Sequence, residues 1–259
     1  MKLILSLFLA GAVAAQTSSP TTSSQPVRDP QAIVVVEQAM AALGGHEAHR
    51  GVRSVAIKGT MQEPDSQAAS SFLWEDDFTG KTPEFRKEVR SGNSVRTFVS
   101  GHGTPAHIQE GKVRQMPAQA AWAAPPFYLP GIVLARELKN QSYSFRLIQS
   151  AGDGPLIHVR VSWELNSVTA SLGAQDWYFD PGNSLPVRVQ YMLPSTAKPG
   201  YLKSAAIEFS DFRSNAGIAV PFHMTNYGVD GKARSFIITE VQTNATFGAS
   251  HFEAQGGQR

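Results

Sequence analysis

Histidines and carboxylates are the residues here whose spacing could support chemistry. His46-Glu47-Ala48-His49 sets two imidazoles three residues apart. It lacks the His-Glu-x-x-His spacing that puts two zinc ligands and a general base on one helix face. It also lies just beyond Gly44-Gly45, a helix stop, so it reads as a solvated turn. His102 and His107 flank a Gly/Thr/Pro loop and read as exposed, and His158 and His223 fall on the polar faces of strands. Glu75-Asp76-Asp77 offers oxygens to a calcium ion, but reads more simply as a solvated strand end. No Gly-x-Ser-x-Gly elbow occurs, and the absence of Cys excludes thiol nucleophiles and disulfides. Gly101-His102-Gly103 lacks the rest of both the dinucleotide fingerprint and the phosphate loop. No metal and no cofactor are expected. A hydrolase, which would need His102 or His107 beside a carboxylate and a Ser in one pocket, is the least favoured class.

The elements that would position any site are mostly strands. Runs at 54–61, 70–78, 84–90, 94–100, 106–110, 143–149 and 156–165 are rich in β-branched and aromatic residues and are bounded by Gly, Pro, Asn or Asp. So are the runs around 177–179, 187–189, 205–213, 217–225 and 235–244. Alternation gives their faces: Val55, Ile57 and Met61 share one side of their strand. Ile157, Val159, Val161 and Trp163 likewise oppose His158, Arg160 and Glu164. Turns are expected at Asp180-Pro181-Gly182-Asn183 and at Asp230-Gly231. The joints leave no room for crossover helices, so a doubly wound nucleotide fold is not expected. Asp29-Pro30 opens a helix whose stripe is Ile33, Val36, Met40 and Leu43, and a shorter helix is expected over 132–138. Residues 117–131, rich in Pro and Ala, read as a loop that leads into this helix and caps the sheet. The count is ten to eleven strands and one to three helices in a mainly β (α+β) chain.

Bulk properties narrow the partners. The formal charge of +2, from 23 basic and 21 acidic residues, gives no electrostatic case for nucleic acid. Residues 1–15 read as a signal peptide: Lys2, an apolar run from Leu3 to Leu9, then small residues with cleavage after Ala14 or Ala15. No stretch reaches the roughly 20 apolar residues of a spanning helix, so no transmembrane anchor is expected after cleavage. Residues 16–28 read as a flexible Ser/Thr/Pro linker, 29–252 as one domain and 253–259 as a disordered tail. An exported, soluble, periplasmic protein is the expectation.

The order of these features resembles the LolA-like periplasmic lipoprotein carriers and their LppX-like and RseB-like relatives. The residues that carry the likeness are the leader, the helix ending Ala41-Ala42-Leu43-Gly44-Gly45 and the strand Val55-Ala56-Ile57-Lys58-Gly59. Further along they are 177–181 with 185–188, 207–213, 217–222 and 238–244. The resemblance implies a strongly curved, unclosed antiparallel half-barrel with helices over its concave side. It also implies a hydrophobic cavity that shields acyl chains from water. On that reading the protein is non-enzymatic and binds a lipid, the acyl chains of a lipoprotein or another apolar ligand. The expected lining is Ile57, Trp163, Trp177, Val189, Ile207, Phe209, Phe222 and Met224. The alternative is a sensor module of the RseB-like type that holds an envelope protein as its partner.

Overall fold

The computed structural model describes residues 25–80, 82, 84–102, 104–117, 126–149, 154–164, 172–194 and 201–254. The signal peptide, most of the linker and the last five residues lie outside these. Helix α1 spans Pro30–Ala42 and α2 spans Gly45–Arg50. They are followed by β1 Ser54–Gln62, β2 Ser70–Asp77, β3 Glu84–Ser91, β4 Ser94–Gly101, β5 Thr104–Gln109 and β6 Lys112–Gln115. Helix α3, Pro130–Lys139, comes next. The chain then forms β7 Tyr143–Ile148, β8 Ile157–Trp163, β9 Gln175–Phe179, β10 Pro186–Pro194, β11 Leu202–Asn215, β12 Ile218–Tyr227 and β13 Ala233–Thr243.

All thirteen strands form one antiparallel sheet in the order β6-β5-β4-β3-β2-β1-β13-β12-β11-β10-β9-β8-β7. The count corrects the expected ten to eleven. The twelve runs read as strands each form one, so that count was itself low, and the strand that no run covered is β6, four residues that are mostly charged or polar. The sheet is two meanders joined where β13 pairs with β1. We call β1–β6 the N-terminal arm and β7–β13 the C-terminal arm. β6 and β7 are the two edges and do not pair, so the sheet stays unclosed. The β7 edge is covered from the N-terminal side. Arg28 forms a parallel bridge with Phe145, and Phe145 N–H donates to the Val27 carbonyl at 2.7 Å. Such cover removes the row of free backbone groups that an edge strand presents.

Local chemistry explains the elements. Asp29 caps α1 through Oδ1, which accepts from Gln31 N–H at 2.9 Å, with Pro30 at the first helical position. The Asp180–Ser184 turn closes on itself, with Gly182 N–H donating to Asp180 Oδ1 at 2.7 Å and Ser184 N–H to the Asp180 carbonyl at 2.8 Å. α1 lies on β7 and β8 and against α3. Its buried residues include Val36, Met40 and Leu43 from the expected stripe. The expected turn at 46–49 is instead the short helix α2. His46 pairs with Glu37 at 2.6 Å, whereas His49 is buried with Nδ1 2.8 Å from the Gly45 carbonyl.

Two glycines fix the curvature and the helix seat. Register slips between Lys58 and Gly59, opposite which β13 carries the unpaired extra residue Thr239, a bulge that bends β13. A Cβ on Gly59 would lie 2.2 Å from the Ile237 carbonyl oxygen and 2.7 Å from the Phe72 ring. At Gly44, φ is +113° and a Cβ would meet the Gly217 carbonyl at 2.1 Å, while Ala219 N–H donates to the Leu43 carbonyl at 2.8 Å. Gly59→Ala is expected to cost about 1–3 kcal/mol, because backbone and an aromatic ring must both move. Urea denaturation checks this, and a loss below a few tenths of a kcal/mol would contradict it.

Candidate ligand-binding surface

Directly opposed residues of an antiparallel pair share a face, so the register maps the inner side of the sheet. In the C-terminal arm Ile207, Val189, Trp177, Val159 and Leu147 form one row across β11 to β7. Beside it, Phe209 faces Met224, which faces Phe236, which faces Met61. In the N-terminal arm a row runs Ile57, Trp74, Lys87, Phe98, His107, Arg114. The apolar rows meet in one buried cluster with α1 and α3.

The eight residues expected as lining are placed as follows. Ile57, Trp177, Val189, Ile207, Phe209 and Met224 come together in that cluster, all buried. Trp177 is parallel to Phe209 and Phe179, with centroids 6.3 and 6.4 Å apart. Trp163 stands apart at the end of β8, half-buried and stacked 6.3 Å from Tyr143. Phe222 is half-buried and only borders the cluster, with the Arg213 guanidinium 4.6 Å from its ring centroid.

The cover over these rows is the stretch 126–139. Consecutive aromatics reach opposite arms: the Phe127 ring lies 4.4 Å from Tyr191 and 6.0 Å from Trp177, and the Tyr128 ring 4.6 Å from Trp74. The next turns carry Leu129, Ile132, Val133, Leu134 and Leu138, all buried. Residues 126–139 therefore act as a lid over an apolar trough.

Two buried carboxyls tie this lid to the sheet. On the N-terminal arm, Tyr128 Oη–H donates to Asp76 Oδ2. The Lys87 ammonium lies 5.1 Å from the Tyr128 ring centroid and 4.9 Å from that of Phe85. Burial pushes the Asp76 carboxyl up to about 6 against the pull of Lys87, and it pushes the Lys87 ammonium down. On the C-terminal arm, Gln175 Nε2 donates to Glu137 Oε1 at 2.5 Å and Trp177 Nε1 donates to Gln175 Oε1 at 2.8 Å. Burial raises Glu137 to about 8, and among the described residues its Oε2 has no hydrogen-bond partner. The Tyr143 phenol is raised by burial and then by the nearby Glu137.

These polar residues are what the sequence reading missed. Asp76 was expected in a solvated acidic run. It is 1% exposed and faces inward, two and four residues beyond Trp74 and Phe72 on the same strand face. That alternation was the available signal, as was Lys87 between Phe85 and Val89. His102 sits at an exposed hairpin tip, 3.0 Å from Glu84, and His107 lies among arginines rather than carboxylates. His158 is buried, with Nε2 2.7 Å from Asp176 Oδ1. Among the described residues no three His, Cys, Asp or Glu side chains converge on a possible metal position.

An open antiparallel sheet with an apolar inner face under a helical cover is a LolA-like fold, and solved structures agree. A domain assigned to outer membrane lipoprotein sorting in Vibrio parahaemolyticus superposes with a TM-score of 0.53 at 11% identity, covering 84% of this chain and 97% of that one. A LolA superfamily protein of Nitrosomonas europaea gives 0.51 at 10% identity over 85% and 96%. A DUF1329 family protein of Desulfovibrio piger gives 0.50 at 12% identity over 89% and 98%. No family model and no curated protein matches the sequence. At these identities the likeness is one of fold.

Proposed function

We propose that the chain is an exported, periplasmic carrier that binds a lipid, the acyl chains of a lipoprotein or another apolar ligand, without catalysis, beneath the 126–139 lid. The observation that carries this reading is the cover itself. A β-sandwich buries its inner face under a second sheet. This sheet buries its inner face under three helices and a short aromatic segment. No helix of the described residues is long and apolar enough to cross a membrane. The proposed lining is the set Ile57, Trp177, Val189, Ile207, Phe209 and Met224, with Trp163 and Phe222 at its margin.

Because those side chains are covered, a ligand has to displace part of the lid. Lifting α3 exposes Ile132, Val133, Leu134 and Leu138, at a cost on the order of 10 kcal/mol as an upper bound. Each acyl CH₂ that takes their place returns about 0.8 kcal/mol. One chain of roughly a dozen methylenes therefore offsets the opening, whereas a small apolar molecule does not. Lifting also rehydrates Glu137, which lowers the cost further. The expected result is a long-chain lipid in organic extracts of the purified protein, identified by mass spectrometry. Repeated preparations with no more lipid than an unrelated soluble control would overturn the proposal.

A further inference from the structure

The inner face of the N-terminal arm changes character along its length. Its near end is Ile57, Trp74 and Phe72. Four strand spacings further out, about 19 Å, it ends in Arg114. The neighbouring row Phe72, Val89, Arg96, Gln109, Lys112 repeats the change from apolar to cationic. Four basic groups, Arg96, His107, Lys112 and Arg114, thus share one face of three adjacent strands. Two carboxylates are close in the chain or in space. Glu63 lies 3.7 Å from Arg96 but is shared with Arg234 at 3.8 Å, and Glu110 stands in the β5–β6 turn. Among the described residues neither Arg114 nor Lys112 has an ion-pair partner. The field is felt at His107, whose imidazole is held below its ordinary range by desolvation and then by Arg114 and Arg96.

We propose that this face binds the headgroup of a phosphate-bearing, anionic diacyl lipid through Arg96, His107 and Arg114, with the acyl chains directed toward Trp74 and the covered trough. The inference rests on the carrier reading above and names its ligand class. Two guanidinium forks, on β4 and β6 with His107 of β5 between them and both acting on its imidazole, suit the non-bridging oxygens of a phosphodiester, which accept paired hydrogen bonds. The gradient from apolar to cationic along each row matches an amphiphile rather than a free anion or a neutral wax. A bound anion would also relieve the repulsion that depresses His107.

The test titrates the protein at low salt with dioctanoyl phosphatidylglycerol, dioctanoyl phosphatidylcholine and inorganic phosphate, in the wild type and in an Arg96→Gln/Arg114→Gln variant; the two octanoyl chains together carry about a dozen methylenes, enough to offset the opening. Both arginines are exposed, so the variant keeps the fold. The expected wild-type preference for phosphatidylglycerol over phosphatidylcholine is roughly tenfold, falling to about twofold or less in the variant. Phosphatidylcholine carries the same phosphodiester but no net charge, so its binding should weaken less in the variant than that of phosphatidylglycerol. The His107 imidazole resonance should titrate at higher pH with phosphatidylglycerol bound. Equal binding of the two lipids by the wild type, or a preference that survives in the variant, overturns the headgroup site and leaves the carrier reading intact. Inorganic phosphate binding as tightly as phosphatidylglycerol also overturns it, by removing the need for acyl chains. Binding of neither lipid overturns both.

Discussion

Asp76→Ala is expected to destabilise the protein by about 3–5 kcal/mol, the range found when a buried charge loses the group that compensates it. The carboxyl is 1% exposed, accepts a hydrogen bond from the Tyr128 hydroxyl and feels the ammonium of half-buried Lys87, one pair along β3. Alanine leaves a cation and a phenol O–H in the interior with nothing to offset their lost hydration. The magnitude belongs to the orphaned charge, which a second change can separate from the missing contact. Asp76→Ala/Lys87→Met places an apolar chain of similar length between Phe85 and Tyr128, and should recover most of the loss. Chemical denaturation of the two single variants and the double variant measures the coupling. A cost below about 1 kcal/mol for Asp76→Ala, or a double variant as unstable as the sum of the singles, would show that the pair is not an energetic unit. The same variant loosens the lid where Tyr128 holds it, so exchange of amide protons in 126–139 should accelerate beyond the general loss of stability.

Most of the sheet was legible because one of its faces is buried. A strand with one dry face must alternate, and a slip of one residue would turn every side chain over. Hence Val55, Ile57 and Met61, or Val159, Val161 and Trp163, announce both a strand and its inner side. Trp177, Val189 and Ile207 fall in one row for the same reason. What was not legible depends on partners distant in sequence. Asp76 and Lys87 sit at inward positions of their strands, but polar residues there are ordinarily read as errors of register. Only Tyr128, fifty-two residues from Asp76, makes them tenable. The loop and the helix over 132–138 were expected to cap the sheet, but the aromatic contacts at the lid's start have no period, since Pro126, Phe127, Tyr128 and Leu129 form neither helix nor strand. β6 is too short and too charged to register as a strand. Its signal was the turn before it, where Glu110 and Gly111 have φ of 52° and 74°, the two positive values that a tight hairpin turn requires. Phe222 shows the opposite failure. Alternation with Met224 put it inside, but β11 has Asp211 at φ 54° between the pairs Ser210–His223 and Phe212–Pro221. The irregularity breaks the period opposite Phe222, which ends half-buried under Arg213.

The two carboxyls under the lid also differ in when they titrate, and this separates them experimentally. Glu137 has its folded pKa raised from 4.5 to about 8, chiefly by burial, with Gln175 and Arg136 pulling the other way. The docked state therefore holds a proton that the unfolded chain releases above 4.5. Stability is at its fullest below that value and falls as the pH climbs toward 8, by on the order of 4 kcal/mol in all. Asp76 acts in the same direction, but its window closes near 6. His49 and His107, both lowered, act in the opposite direction and only below their ordinary 6.5. Between pH 6.5 and 8.5 the fall then belongs to Glu137 and should amount to roughly 2 kcal/mol in the wild type. Glu137→Gln cannot ionise and still offers Gln175 an amide oxygen, so its stability should stay flat over the same interval and exceed that of the wild type at pH 8.5. Urea titrations of both proteins at pH 6.5, 7.5 and 8.5 decide the matter, and parallel profiles would mean that a different group titrates. If the slopes diverge as expected, alkaline pH weakens the attachment of α3 to β9. Exchange of a bound lipid should then quicken with rising pH in the wild type and not in the Gln variant, since the proton on Glu137 is what lets that helix lie on the sheet.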